Sequence, residues 1–377
     1  MITAHTDVVG SLLRPVALRK ARDDWVAGRL NHAQFKSIED RAVDEAVSLQ
    51  EAAGLDIVTD GEMRRLSFQS PMTEAVDGFG PWDLNVFLWG HWHGAGAVGE
   101  RRRDRPVDLG VVSRLVRKRH LVAEEFVYLR RRTSRVAKVT LPSPSLFVNF
   151  WSPERSQSAY ASLDHFLADV VAILRDEVAE LVRLGATYVQ IDAPHYPLLL
   201  APATGSFYES RGWTFDQWLS RGIELDNAVM AGFAEVTFAI HLCRGNQESR
   251  WLVAGDYEPI ARPIFQRIHA RGFSSNTTMS GRARLHRCGT SRTTRRWFLD
   301  WSAPSGRKRR RRKTSFVASR KQAASCRWNA WRSALSAALP LRSLETTFPS
   351  RMKDASSRGC AKLHDGYGDS FVPSTTV

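Results

Sequence analysis

The sequence predicts an α/β fold with a parallel sheet, and three observations carry that expectation. Over residues 1–270 short apolar runs alternate with amphipathic helical stretches, each run ends in a cluster of polar, Gly or Pro residues, and both patterns stop near Arg271. Alternation of this kind implies parallel strands joined by helical crossovers. Polar residues gathered at the C-terminal ends of strands suit the active face of an α/β barrel. An open doubly wound sheet obeys the same grammar, so periodicity leaves both open.

The first element is Val8-Val9-Gly10-Ser11, read as a strand. Residues 31–54 are a helix: Asn31 and Gln34 have the spacing of a capping box, and Phe35, Ile38, Ala42, Ala46 and Leu49 recur at helical intervals before Gly54 ends it. The strand Leu55-Asp56-Ile57-Val58-Thr59 follows and runs into Asp60-Gly61-Glu62. Residues 71–136, rich in Trp, Gly and Arg, read as an insertion over the active face. Then come a strand at 138–141 ending in Pro142-Ser143-Pro144, a helix at 163–184, and a strand at 187–191 ending in Asp192-Ala193-Pro194. A helix at 213–229 leads to the last strand, 236–240, which ends in His241-Leu242-Cys243-Arg244-Gly245-Asn246.

Charge divides the chain at the same place. Residues 1–270 carry 31 Lys and Arg against 34 Asp and Glu, whereas 271–377 carry 23 against five, so the formal +15 belongs to the tail. Domain organisation follows: a barrel-like part over 1–270 and a basic, disordered tail over 271–377. Residues 1–14 lack the apolar core of a secretory signal, and no run approaches the ~18 apolar residues of a membrane span. The four cysteines, Cys243, Cys288, Cys326 and Cys360, are sparse and irregular, which implies no disulfide framework and favours a reducing, cytoplasmic setting.

Five residues at strand ends could do chemistry. His241 and Cys243 are two apart, so they point to one side of the strand, and imidazole and thiolate are ligands that zinc prefers. Alone, an H-x-C pair is more often packing than metal ligation. Glu62 and Asp192 end two other strands, where two carboxylates suit an ammonium group; either one alone is as well read as a helix cap or a surface charge. Ser11 follows Gly10 in a turn that could hold a carboxylate, or is an ordinary turn. In the insertion, His91-Trp92-His93 is a weaker metal pair, and Trp89 and Trp92 either stack on a flat ring or anchor the loop.

Four motifs in order give a family resemblance. Val9-Gly10-Ser11-Leu12-Leu13-Arg14-Pro15, Val58-Thr59-Asp60-Gly61-Glu62, Tyr188-Val189-Gln190-Ile191-Asp192 and His241-Leu242-Cys243-Arg244-Gly245-Asn246 resemble the cobalamin-independent methionine synthase family in its short, single-barrel form, over residues 5–270. The resemblance implies a TIM (β/α)8-type barrel, of which this chain shows five βα units and is therefore incomplete. It also implies zinc-dependent transfer of a methyl group from a methylated folate to the thiol of homocysteine. His241 and Cys243 correspond to two zinc ligands, Glu62 and Asp192 to the groups that hold the amine, and Ser11 to the loop that holds the carboxylate. Zinc suits that chemistry because it deprotonates a coordinated thiol outright.

The family's other two ligands, a Glu in a pattern like F-L-L-E-Y-D and a Cys in a pattern like Q-C-G-F, are absent. After the stretch 261–270 the chain reads Phe273-Ser274-Ser275-Asn276-Thr277-Thr278. Plausible codons for 273–278 and for 326–341, read in one shifted register, restore both patterns, so the tail is read as a frameshifted remainder of the barrel. The basic run at 307–313, RKRRRRK, is then an accident of frame. Two other functions stay open: a related alkyl or thiol transferase of the same barrel type, and an inactive protein whose tail binds nucleic acid. No membrane partner is expected.

Overall fold

A computed structural model describes residues 7–80, 91–92, 101–102, 110–210, 212–245, 252–253, 257–276 and 296–300, all within the compact unit Met1–Leu335. Helices α1 (Val16–Val26) and α2 (His32–Ala52) precede the short strand β1 (Ile57–Val58). Helix α3 (Ser70–Ala75) and strands β2 (Val76–Gly80), β3 (His91–Trp92), β4 (Arg101–Arg102) and β5 (Gly110–Arg117) lead to α4 (Ala123–Arg132). Strands and helices then alternate through β6 (Val136–Pro142), α5 (Leu163–Arg183), β7 (Tyr188–Asp192), the short α6 (His195–Leu198) and α7 (Pro202–Glu209), and α8 (Phe215–Met230). Strand β8 (Thr237–Leu242), helix α9 (Glu258–Arg267), β9 (Gly272–Asn276) and β10 (Arg296–Asp300) complete the series.

Strands β1, β6, β7, β8, β9 and β10 form one parallel sheet in that order. The order follows the chain without reversal, as in a barrel, whereas a doubly wound sheet turns back at a switch point. Among the described residues β1 and β10 are its two edges. The expected eight-stranded barrel is thus represented by a six-stranded sheet that these residues do not close.

Residues 8–11, expected as the first strand, are not part of the sheet. Side chains take their carbonyls: Lys138 Nζ bonds Val8 O, Gln190 Nε2 bonds Val9 O at 2.5 Å, and Thr59 Oγ1 bonds Gly10 O at 2.8 Å. Acceptors so occupied need no strand ladder. The sheet also runs past residue 270, the boundary read from composition: β9 pairs with β8 and sets Ser274 opposite His241. The stretch 71–136 holds an antiparallel ribbon of β2 and β5, the pair β3–β4, and at its end α4, which packs on α2 and β6.

Local chemistry explains the helices. Asn31 Oδ1 accepts from Gln34 N and Gln34 Oε1 accepts from Asn31 N, both at 2.9 Å, the expected capping box at the start of α2. Along α5, Phe166, Val170, Leu174, Val178 and Leu181 are buried at helical spacing. They meet Val139, Leu141, Val189, Ile191, Phe238 and Ile240, the strand residues of one face, together with Trp218 and Ile223 of α8. Glu177 interrupts that apolar stripe, fully buried, and accepts from Leu121 N and Val122 N at 2.8 Å each, so it satisfies backbone donors at the entry to α4. No described helix is long and apolar enough to cross a membrane.

The opposite face of the sheet is polar. Lys138, Thr140, Gln190, Asp192 and His241 are buried there because side chains alternate along each strand. Lys138 lies 2.9 Å from both Asp7 and Gln190 Oε1, which leaves its buried charge paired.

Candidate active face at the strand ends

Strand register builds the centre of the site. Asp192 is the register partner of Pro142 on one side and of His241 on the other, at the C-terminal ends of β6, β7 and β8. Neighbouring residues in a parallel ladder carry their side chains on the same face, so Asp192 Oδ1 meets His241 Nδ1 at 3.0 Å. Gln190 Nε2 donates to the same oxygen at 2.7 Å and so fixes the carboxylate from below. Burial opposes a charge on His241, yet the hydrogen bonds to Asp192 and Cys243 hold the imidazole well above its usual range. Cys243 is half-buried one residue past the end of β8.

Glu62 reaches this face from the turn after β1. Buried Gln50 of α2 clamps Thr59, donating to Thr59 O at 2.8 Å and accepting from Thr59 N at 2.9 Å. Asp60 Oδ1 then accepts from Glu62 N at 2.9 Å, and Glu62 adopts φ +54°, a left-handed conformation uncommon outside glycine. Its carboxylate accepts from Thr140 Oγ1 at 2.8 Å. Burial pushes the Glu62 carboxyl up, Arg65 pulls it down, and the nearby charge of Asp192 pushes it up again. Gly10 lies against this group: a Cβ there would meet Glu62 Oε1 and Thr140 Cγ2 at 2.8 Å each. Ser11, next along the chain, is exposed, and Leu12 N bonds Gly61 O at 3.0 Å, which stitches the two loops together.

All five residues singled out in the sequence, Ser11, Glu62, Asp192, His241 and Cys243, therefore lie on loops and strand ends of one face. Trp89, His93, Cys288, Cys326, Cys360 and the basic run at 307–313 lie outside the described residues. His91 and Trp92 form β3, paired with β4.

Two groups of buried polar residues were not legible in the sequence. Arg65 bridges Glu62 at 3.7 Å and Glu125 of α4 at 2.8 Å, and donates to Thr140 Oγ1 at 2.8 Å. Burial pushes the Glu125 carboxyl up to about 7 in spite of the guanidinium. Behind the strand ends, Asp226 of α8 accepts from Ser143 Oγ and Tyr196 OH, each at 2.6 Å, and Ser145 Oγ lies 2.7 Å from His195 Nε2. Burial pushes Asp226 up to about 6 and His195 down to about 3. Only a pattern that pairs residues far apart in the chain would have found either group; local spacing carries no sign of them.

The metal expectation meets a limit in the donor set. A closed zinc site takes four ligands from Cys, His, Asp and Glu. Among the described residues no group of three or more such side chains could hold a metal. His241 and Cys243 are near one another, but Asp192 is engaged as the partner of His241 Nδ1. Among the described residues the donors do not make up a complete zinc centre.

Comparison with known proteins adds the following. The sequence profile of the family described as cobalamin-independent synthase, catalytic domain, matches residues 2–253. An uncharacterised protein of Bacillus subtilis, YxjH, is 25% identical over 278 residues, spanning 71% of this chain and 69% of its own. A 5-methyltetrahydropteroyltriglutamate–homocysteine methyltransferase of Syntrophotalea carbinolica is 25% identical over 69% of this chain but only 32% of its own length. The crystal structure of the putative vitamin-B12-independent methionine synthase of Listeria monocytogenes shares the fold with a TM-score of 0.56 at 19% identity, over 90% of this chain and 88% of that one.

Proposed function

This chain belongs to the cobalamin-independent synthase catalytic-domain family, and from that premise we propose that it binds a homocysteine-like amino acid on the frame of a zinc-dependent methyltransferase whose metal centre is incomplete. In this reading Glu62 and Asp192 take the ammonium group, the loop at Ser11 takes the carboxylate, and His241 with Cys243 supplies half of a zinc site. In a complete enzyme of this type the methyl donor is a methylated folate, and a reducing, cytoplasmic setting keeps Cys243 a thiol. The observation that carries the proposal is the juxtaposition of Asp192 and His241, 3.0 Å apart, with Glu62 close enough to feel the charge of Asp192. Two carboxylates on a water-poor face favour a cationic group between them. Zinc affinity depends on a full ligand set, so no methyl-transfer step is assigned to this chain.

The test is calorimetric titration with L-methionine and homocysteine, alongside metal analysis and a methyl-transfer assay. We expect saturable binding of the amino acid, zinc well below one per chain, and negligible turnover. Absence of amino-acid binding would remove the pocket; one zinc per chain with turnover would remove the claim of an incomplete centre.

We further infer that residues 271–377 are a frameshifted remainder of the barrel. Support comes from the charge break at 271 and from the family match ending at residue 253. Resequencing the coding DNA across codons 255–345 tests it: a missing or extra base is expected near codons 266–273, and confirmation of the frame refutes the idea.

A further inference from the structure

Two arginines are buried among the described residues, Arg65 at 2% exposure and Arg244 at 3%, and their surroundings differ. Arg65 is answered by Glu62, Glu125 and Thr140. Arg244, one residue past Cys243, has no such answer. Its guanidinium stacks on the ring of Tyr257, 4.0 Å from the centroid, and its Nη2 is buried without a hydrogen-bond partner. No ion pair joins it to any described carboxylate.

A guanidinium cannot shed its proton to escape burial. Stacking on one aromatic ring offsets only part of what burying an unpaired charge costs. An oxyanion is the group that would supply the counter-charge. Arg244 O accepts from Leu252 N and Val253 N at 3.0 and 3.1 Å, and Tyr257 OH donates to Leu242 O at 3.2 Å, which ties the loop to the end of β8. Tyr257 is also the N-cap of α9, which anchors its ring at the start of a ten-residue helix.

We propose that Arg244, held against the ring of Tyr257, is an oxyanion-binding subsite next to the His241–Cys243 pair, built to take a carboxylate or phosphate group of a ligand. The subsite stands on the unpaired guanidinium and needs neither zinc nor methyl transfer. It is separate from the ammonium pocket at Glu62 and Asp192, so either can fail without the other.

The test titrates the full-length chain with glutarate and, separately, with inorganic phosphate at constant ionic strength, using wild type, Arg244→Lys and Arg244→Met. Wild type is expected to bind one of the two saturably; preference for glutarate assigns a carboxylate ligand and preference for phosphate a phosphoryl one. Arg244→Met should weaken that binding by about tenfold or more, the loss of a charge-assisted contact. Arg244→Lys should fall between, because it keeps the charge and loses the planar fork. Without ligand, Arg244→Met should melt at or above wild type, since an apolar side chain replaces an unpaired buried charge. The proposal is overturned by a wild type that binds neither anion saturably, or by a folded Arg244→Met that binds as well as wild type. An Arg244→Met chain that melts well below wild type or does not fold also overturns it, because that outcome assigns the guanidinium a structural counter-charge.

Discussion

Replacing Arg65 by Met should destabilise the protein in a way that depends on pH. The guanidinium lies 2.8 Å from Glu125 and 3.7 Å from Glu62, and all three side chains are withdrawn from solvent. Breaking a buried pair by removing one partner costs about 3–5 kcal/mol, because the charges left behind are uncompensated. Here two carboxylates are left, and they can escape by taking up protons. Glu125 already stands at about 7 in the folded chain against an ordinary 4.5. A carboxyl raised on folding contributes stability that is present below its unfolded value and lost as pH rises through its folded value. Without Arg65 both folded values rise further, so the loss deepens with pH. The variant should lose about 3–5 kcal/mol near pH 8 and only about 1 kcal/mol near pH 5. Urea unfolding followed by tryptophan fluorescence at several pH values reads this directly. An equal loss at every pH, or a loss under about 1 kcal/mol near pH 8, would refute the idea that Arg65 balances Glu62 and Glu125. The double variant Arg65→Met with Glu125→Gln should recover part of the loss, since the two sites share one interaction.

Further expectations concern packing, the close approach at Gly10 and the buried acid Asp226. Leu174→Ala, at a fully buried position of α5, should cost about 2–5 kcal/mol by urea unfolding; a cost near zero would mean that α5 does not pack on the sheet. Gly10→Ala introduces a Cβ 2.8 Å from Glu62 Oε1 and Thr140 Cγ2. We expect a loss of about 1–3 kcal/mol and weaker L-methionine binding, and unchanged binding would show that Glu62 is not in the amine pocket. Asp226 is raised from 3.8 to about 6 by burial. Its contribution is therefore full below about pH 4 and falls, by roughly 3 kcal/mol, as pH rises through 6. Asp226→Asn should flatten that fall in thermal melts recorded against pH, and a slope identical to wild type would count against it.

The sequence by itself determined what is local. Apolar spacing located α2, α5 and α8, the Asn31–Gln34 pair marked the start of α2, and polar clusters after apolar runs placed Glu62, Asp192, His241 and Cys243 at strand ends. Charge and the loss of periodicity both marked the change near residue 271. Periodicity did not distinguish a barrel from a doubly wound sheet, because each strand reads the same in both. The six described parallel strands follow chain order without reversal, as strands of a barrel do, but they do not close one.

Only the tertiary structure decided which side chains meet. Asp192 is the partner of His241 because β7 and β8 pair in one register; a slip of one residue would send them to opposite faces. Residues 8–11 lost the strand that their sequence suggests because Lys138, Gln190 and Thr59 reach their carbonyls from the polar face of the sheet. Arg65 and Glu125 are 60 positions apart, and α4 must dock beside the turn after β1 before they meet. Arg244 was visible as a letter in a motif, but its want of a counter-charge was not. Pairing and desolvation depend on what surrounds a group in space, and that is not encoded in local spacing.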